Sequence, residues 1–399
     1  MKPTMEDLRG RVEVLQDKID LQPQGLQTAM DRLFGITHRN ELVTGPHGLQ
    51  RVVQGSALPP GSAFESLREA YVTFTGDEGI RNFGRRVTAA VSTFNFASCL
   101  ANTVNGMLAR DYAVAEADYR WRDIVKSVTS PENFKTQERS RMRFVGDLGE
   151  LGEDEPYEDV SDTGDEKFTY GVSTFGGFLR ITDRALLADR VDLIQRGVAQ
   201  LARAAARTLA KRCWGRVVNN DVYGVDSLPV FHSDHNNLGA AALSPVIAES
   251  VAALNAAKFS MFAQTEPGST ERLGLGSGQL LLVVPIELEA IAREINLGPF
   301  IDAVSTPNPW FHRFGTDCER IFVNPLLSNS ADWYLFDTSG RVGILELGFL
   351  MGHQVPQVIL SNDPRRNPNL SQDQICYKMR FDFECAVEDY RGAWKSVVA

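Results

Sequence analysis

The segment from residue 133 to residue 182 constrains the fold more than any other part of the sequence. It contains KTQERSRMRF, in which Lys135, Arg139, Arg141 and Arg143 occupy odd positions. Side chains at odd positions share one face of a β-strand. A run dense in aspartate and glutamate and broken by glycine follows, and KFTYGV then returns to alternation. The pattern predicts a long hairpin with a basic outgoing strand, an acidic irregular tip and a returning strand.

A connection of this length is unusual inside a compact domain, because structureless loops beyond about 12–15 residues are uncommon there. We therefore expect the hairpin to project and to be covered by another molecule. A cationic face beside an anionic run is complementary to a second copy of itself. A solvated charged loop is the alternative that the sequence leaves open. The residues predicted to make inter-subunit contacts are Lys135, Arg139, Arg141, Arg143, Asp154, Glu155, Glu158 and Asp159.

Composition indicates a folded, acidic protein. Hydrophobic residues make up 43% and charged residues 23% of the 399-residue chain, which is ordinary for a chain with a sizeable core. The formal net charge of −10 argues against a dedicated nucleic-acid binder but leaves open contact with packaged nucleic acid. The scattered cysteines form no CxxC motif and predict buried thiols in a reducing compartment. With neither a signal-peptide pattern nor an apolar run of about 20 residues, the chain is expected to be soluble and made in the cytoplasm.

Apolar periodicity predicts the regular elements. Residues 189–218 carry apolar side chains at helical spacing and predict a rod roughly 40 Å long. The run QLLLVVP predicts a buried strand, after which Pro285 opens a helix. The run YKMRFDFECAV alternates strictly and gives the clearest strand signal of the chain. Trp333 to Phe336 form a further predicted strand, with VGILEL as its expected partner.

The stretch FHSDHNNLG places His232, Asp234 and His235 close together, which are residue types that ligate zinc. A metal-dependent hydrolase using these three residues is therefore one alternative function. No second cluster completes a ligand set, and the flanking Pro229, the asparagines and Gly239 are typical of a hydrogen-bonded turn. The turn is the favoured interpretation. We predict no catalytic residue, no metal and no cofactor, because no other enzyme motif is present.

Many motifs, in order, resemble the major capsid proteins of tailed bacteriophages. They include EKFTYGVSTFGGFLRITDRALLADRVDLIQRG, LPVFHSDHNNLG, LLVVPIELEAIARE, NPLLSNSADWYLFDT and KMRFDFECAVEDYRGAW. The resemblance extends over roughly residues 90–396. It is nearest to the Mu-like major head protein branch, which includes members made as a fusion behind a prohead protease. Asn236 departs from the pattern, because a glycine is expected there.

The resemblance implies an α+β protein with the Hong Kong 97-like (HK97-like) capsid fold. This fold has an N-terminal arm, a projecting hairpin called the E-loop, a peripheral domain with a long spine helix, and an axial domain. The implied divisions are an arm (1–66), a peripheral domain (67–129 and 183–239, with the spine helix at 189–218), an E-loop (130–182), an axial domain (240–370) and a returning peripheral strand with the C-terminal segment (371–399).

The resemblance also implies a non-enzymatic structural function. The chain would assemble with itself into hexamers and pentamers of an icosahedral shell enclosing double-stranded DNA, without sequence-specific binding and without a membrane. A portal, a scaffold or prohead protease and a decoration protein would be further partners. The protein would be located in the virion head after assembly in the host bacterial cytoplasm. The alternative within the same fold is the shell of an encapsulin-type protein compartment.

Overall fold

The chain combines helices with antiparallel and mixed sheets, so the predicted α+β class is confirmed. The computed structural model describes residues 23–44, 50–59, 63–75, 96–141, 166–182, 184, 188–301, 306–360 and 374–397. The helices are α1 (Pro23–Leu33), α2 (Leu67–Thr75), α3 (Phe96–Ala117), α4 (Val191–Val218), α5 (Ile247–Phe262) and α6 (Glu289–Leu297). The strands are β1 (His38–Thr44), β2 (Gln50–Ala57), β3 (Val125–Thr129), β4 (Gln137–Arg141), β5 (Glu166–Tyr170), β6 (Ser173–Thr182), β7 (Leu238–Gly239), β8 (Leu280–Val284), β9 (Ile321–Val323), β10 (Trp333–Asp337), β11 (Leu345–Phe349), β12 (Gln357–Leu360), β13 (Gln374–Val387) and β14 (Ala393–Ser396).

Two compact units make up the chain. The first unit contains Met1–Asp118, Ser173–Thr208 and Leu350–Phe383. The second unit contains Tyr119–Val172, Leu209–Phe349 and Glu384–Ala399. Each unit is therefore assembled from separate stretches of the chain.

In the first unit, β13 lies between β12 and β6, and both pairings are antiparallel. The strict alternation of β13 was the clearest strand signal of the sequence, and the strand is confirmed. Tyr377, Met379 and Phe381 are buried on one face, where Phe381 meets Tyr112 of α3 edge-on at 5.7 Å between ring centroids. Gly176 of β6 allows close strand approach, because a Cβ there would lie 2.6 Å from the Met379 carbonyl oxygen.

Helix α3 covers this sheet because Leu100, Val104 and Leu108 recur at helical spacing and are all buried. Its Asn105 side chain also satisfies the backbone of the edge strand β12. The amide nitrogen donates to the Val358 carbonyl at 3.0 Å, and the Val358 N–H donates to the Asn105 oxygen at 2.7 Å. An edge strand has unpaired backbone N–H and C=O groups that can pair with another chain. In β12, some of these groups are hydrogen-bonded within the unit.

Part of the predicted N-terminal arm belongs to the core of the first unit. Leu26, Ala29 and Met30 of α1 and Phe34 just after it are buried. These apolar residues lie three to four positions apart, within the range predicted for the N-terminal arm (1–66). The first part of the predicted arm, residues 1–22, lies outside the described residues.

Helix α4 confirms the predicted long helix, with bounds close to residues 189–218. Within the first unit, Ile194 and Val198 of α4 are buried. Leu201 of α4 lies beside Gly177 of β6, where a Cβ would come within 3.8 Å of the leucine side chain. The helix therefore has one apolar face directed at the sheet and one face left to solvent.

The second unit is built around the sheet β7–β14–β10–β8–β9. Strand β10 pairs antiparallel with both β14 and β8, while β14 with β7 and β8 with β9 are parallel pairs. Every residue of β8 is buried, as the run QLLLVVP predicts, because apolar residues cover both faces of the strand. The cluster around it includes Leu254, Ile295, Trp310, Trp333 and Trp394.

The expected pairing of VGILEL with the strand at Trp333 is wrong. Strand β11, which contains this run, pairs in parallel with β3, from Leu345↔Val125 to Gly348↔Thr129. The reason is that both edges of β10 are already occupied by the apolar strands β8 and β14. Sequence proximity favoured a neighbour in the chain, but the C-terminal strand β14 occupies that edge.

Candidate functional site

The predicted hairpin is present at its base. Strands β4 and β5 pair antiparallel from Gln137↔Tyr170 to Arg141↔Glu166. Directly opposed residues of an antiparallel pair lie on the same face. Arg139 pairs with Phe168, which is buried, so Arg139 lies on the inner face of the hairpin.

Arg139 is anchored within its own chain. Its Nε donates to the Glu346 carboxylate of β11 at 2.9 Å, and the Tyr170 hydroxyl donates to the same oxygen at 2.9 Å. Thr129 of β3 adds a third hydrogen bond at 3.2 Å. A buried carboxylate requires such partners, because an unpaired one would be strongly destabilising. The Glu346 cluster, which we define as Glu346, Arg139, Tyr170 and Thr129, holds the hairpin base on the β3–β11 pair.

The electrostatics of this cluster follow from burial. Burial of the ring, assisted by the Glu346 carboxylate, raises the pKa of Tyr170 to about 12. Although burial acts to lower it, the charge and hydrogen bond of Glu346 raise the pKa of the Arg139 guanidinium. The tyrosine hydroxyl therefore stays a donor and the guanidinium stays a cation around one carboxylate.

The outer face of the hairpin carries a different pair. Lys167 and Glu138 form an ion pair at 3.2 Å between Nζ and Oε1, with both side chains exposed. Lys135 is exposed and precedes β4, so it is not part of the strand that the sequence pattern extended to it. Strand β4 begins only at Gln137, because the preceding backbone is used in a turn in which the Lys135 N–H donates to Asn133.

The structure does not describe the other residues that were predicted to make inter-subunit contacts. The side chain of Arg141 and the whole of residues 142–165, including Arg143, Asp154, Glu155, Glu158 and Asp159, lie outside the described residues. Their contacts with a neighbouring subunit stay a prediction. For Arg139, the internal bond to Glu346 means that any external contact would use the part of the guanidinium that remains exposed.

The loop FHSDHNNLG folds as a turn. His232 Nδ1 accepts the N–H of Asp234, and Asn236 adopts a left-handed conformation with φ of 49°. This conformation explains why a glycine is expected at that position, while asparagine also tolerates it. His235 is buried, with Nδ1 at 3.0 Å from the Val230 carbonyl and Nε2 at 2.7 Å from Asp226.

His232, Asp234 and His235 do not converge on a common point. Both ring nitrogens of His235 are hydrogen-bonded to protein oxygens, so neither is available to bind a metal ion. Asp234 is largely exposed. Across the described ranges, no group of three or more His, Cys, Asp or Glu side chains is arranged to hold a metal ion.

His235 instead belongs to a packed network that sequence reasoning missed. Its ring stacks on Tyr390 at 3.7 Å with an interplanar angle of 6°. The next residue, Arg391, donates to Glu166 at 3.2 Å and to Asp389 at 3.1 Å, and all three side chains are buried. Nothing in the sequence shows that EDYRG near the C-terminus meets the first residue of β5.

The hairpin base is therefore fixed at two buried points in the second unit. Arg139 on β4 binds Glu346, and Glu166 on β5 binds Arg391. Glu346 could have been noticed in the sequence, because a carboxylate between Leu345 and Leu347 in an apolar run needs a partner. The arrangement fixes the base of the hairpin, and its charged side chains are paired with one another.

Comparisons with known proteins give the class. A family model described as phage capsid protein matches residues 165–396. No curated protein matches the chain. Among solved structures, the chain is similar to a virus-like particle from Pyrococcus furiosus, with 9% identity over 75% of this chain and 99% of the other and a TM-score of 0.42. It is also similar to the capsid of Myoviridae phage XM1, with 10% identity, 71% and 92% coverage and a TM-score of 0.43.

The family match places the chain in a class of proteins, the structural proteins that form virus shells. Because the match covers more than half of the 399 residues, the chain belongs to the phage capsid protein family. In the part of the chain that the structure describes, no helix is long and apolar enough to cross a membrane.

Proposed function

We propose that the chain is the major head subunit of a tailed bacteriophage. Copies of it assemble into hexamers and pentamers of an icosahedral shell that encloses double-stranded DNA without reading its sequence. The observation that carries the proposal is the match of residues 165–396 to the phage capsid protein family. The protein acts as a structural component of the virion head and not as an enzyme.

The finer assignments remain proposals of the same kind. We assign the chain to the HK97-like fold and to its Mu-like branch, with the peripheral, E-loop and axial divisions as predicted. The sheet around β8 and β10 supports a separate axial core, to which we add the C-terminal strand β14. A portal, a scaffold or prohead protease and a decoration protein are the expected partners, and assembly takes place in the host bacterial cytoplasm.

The alternatives have less support. The family match is to phage capsids, which does not favour a compartment shell. A hydrolase using His232, Asp234 and His235 is not supported, because these side chains are committed to a turn and to buried hydrogen bonds.

Electron microscopy of the purified full-length chain tests the proposal. We expect closed isometric shells and a fast-sedimenting species in the ultracentrifuge. A chain that stays a discrete monomer or dimer over a range of salt and protein concentrations would contradict self-assembly into a shell.

The predicted hairpin contacts are tested by reversing the charges of Arg141 and Arg143 and leaving the four residues of the Glu346 cluster unchanged. We expect Arg141→Glu with Arg143→Glu to abolish shells while the chain stays folded, because like charges would then face the acidic run of a neighbour. The matched control exchanges Glu138→Lys with Lys167→Glu, which preserves the exposed ion pair of the same hairpin. Normal shells from the reversed variant would disprove the contact.

A further inference from the structure

The solvent face of α4 carries a line of arginines. Arg196, Arg203 and Arg207 are exposed, while Val198 and Ala202 on the opposite face are buried. We call these three residues the arginine stripe. All three lie in the part of α4 that belongs to the first unit. At about 1.5 Å per residue, the stripe runs for about 16 Å along one rigid helix.

The stripe has few partners within the chain. Arg196 lies 3.8 Å from Asp192, and both side chains are largely exposed. Among the described residues, neither Arg203 nor Arg207 forms an ion pair. An exposed pair such as Arg196 with Asp192 contributes little, about 0–1 kcal/mol, so it is easily exchanged for another anion.

The surroundings of the stripe favour a polar, charged ligand over a protein surface. Between Arg196 and Arg207, α4 exposes no large hydrophobic side chain, and Gln200 fills the same face. Protein–protein interfaces usually centre on buried aromatic or aliphatic anchors. Interfaces with DNA are polar, wet and positively charged.

The acidic composition of the chain does not exclude binding of an anionic ligand at the stripe. Ten aspartate and glutamate residues and no lysine or arginine lie from Asp147 to Glu166, so this run accounts for the whole formal net charge of −10. The rest of the chain is formally neutral. The negative charge that would repel DNA is therefore concentrated in one segment of the sequence.

We propose that the arginine stripe binds the phosphate backbone of double-stranded DNA. The proposal rests on the proposed function, because it identifies α4 as an element that contacts the DNA enclosed by the shell. Guanidinium groups match phosphate geometry with two parallel hydrogen bonds. Phosphate contacts carry no sequence information, which fits a container for any packaged genome. A few contacts per subunit are weak singly and add up over many subunits.

The test measures binding of short duplex DNA to the purified full-length chain by fluorescence polarisation, with NaCl from about 50 to about 200 mM. The variant carries Arg196→Gln, Arg203→Gln and Arg207→Gln. Each neutralised phosphate contributes about 0.9 to the slope of log K against log salt, so we expect the slope to flatten by about 2.7. Two duplexes of unrelated sequence should give the same result.

Two controls accompany the variant. Arg110→Gln with Arg272→Gln and Arg293→Gln removes the same charge from exposed arginines that have local partners, and it should leave the slope unchanged. Lysine at the three stripe positions keeps the charge and should restore most of the slope.

Shell formation is scored in parallel by electron microscopy. A flattened slope with normal shells supports the proposal. An unchanged slope, or an unmodified chain that does not bind DNA at low salt, overturns it. Loss of shells with an unchanged slope also overturns it, and would mean that the stripe contacts an acidic protein surface instead of DNA. If the unmodified chain binds DNA through the stripe but never forms shells, the stripe is upheld and the proposed function fails.

Discussion

Two groups of charged residues differ in their burial and in their ion pairs. In the second unit, Arg391 is buried and bonded to two carboxylates beside the stacked rings of Tyr390 and His235. In the first unit, Arg203 and Arg207 stand exposed on α4 without an ion pair among the described residues. The buried group includes His235, one of the three residues whose types suggested a metal site, and the exposed group lies on the predicted long helix α4.

The difference shows where function is to be sought in such a chain. Side chains that are buried with every partner supplied fix geometry, here the base of the β4–β5 hairpin. Side chains that the fold leaves without partners remain available to another molecule. A residue type is therefore a weak indicator of function until the partners of its polar atoms are known.

The largest expected effect is on the free energy of unfolding when an arginine of the buried group is changed to glutamine, compared with the same change in the exposed group. Arg391→Gln removes the cation between Glu166 and Asp389, and we expect a loss of about 3–5 kcal/mol in the free energy of unfolding. Arg203→Gln should change it by less than about 0.5 kcal/mol, because the side chain is exposed. Urea unfolding of the unassembled chain measures both.

Equal effects at the two positions would contradict the comparison. Asp389→Asn supplies a further check, because Arg391 then keeps only Glu166 as an anionic partner. Its cost should lie between those of the two arginine variants.

A smaller effect is expected from pH at the hairpin base. The pKa of Tyr170 is raised to about 12 in the folded chain, against about 10 in the unfolded chain. The unfolded chain therefore loses this proton first as pH rises. The raised pKa of Tyr170 adds up to about 2 kcal/mol to the free energy of unfolding. This stabilisation is fully present below about pH 10 and is lost as the pH rises from about 10 to about 12.

Tyr170→Phe isolates this contribution, because phenylalanine does not titrate. Between pH 10 and 12 the variant should lose stability less steeply than the unmodified chain, as followed by urea midpoints. Parallel curves for the two proteins would show that Tyr170 is not the titrating group. Acid conditions do not test this cause, because the phenol is protonated in both states there.

Much of the fold could be predicted from local patterns. The long helix α4, the buried strand β8 and the alternating strand β13 follow from apolar periodicity, which depends only on neighbouring residues. The pairing of β11 with β3 could not be predicted, because it depends on a strand more than two hundred residues away in the chain. The residues Leu26, Ala29, Met30 and Phe34 have helical spacing, but that spacing does not show which distant elements bury them.

The candidate site was predicted in part. The alternation at residues 135–143 predicted a strand, which is confirmed over Gln137–Arg141, but it did not show which face turns inward. That choice is made by Glu346, more than two hundred residues later in the chain. The network of Glu166 with Arg391 also depends on residues far apart in the sequence, and no spacing rule connects them.

The smallest effect is expected on the outer face of the same hairpin. Lys167 and Glu138 form an ion pair at 3.2 Å, but both side chains are exposed. Such pairs contribute little because water screens them and ordering two long side chains costs entropy. Lys167→Ala should therefore lower the free energy of unfolding by at most about 0.5 kcal/mol, measured by urea unfolding. Arg139→Ala on the inner face is the matched comparison and should cost clearly more, because it removes a charged partner of buried Glu346. If the two variants were equally mild, the internal bond of Arg139 would not be an anchor, and the whole guanidinium would be free to contact a neighbouring subunit.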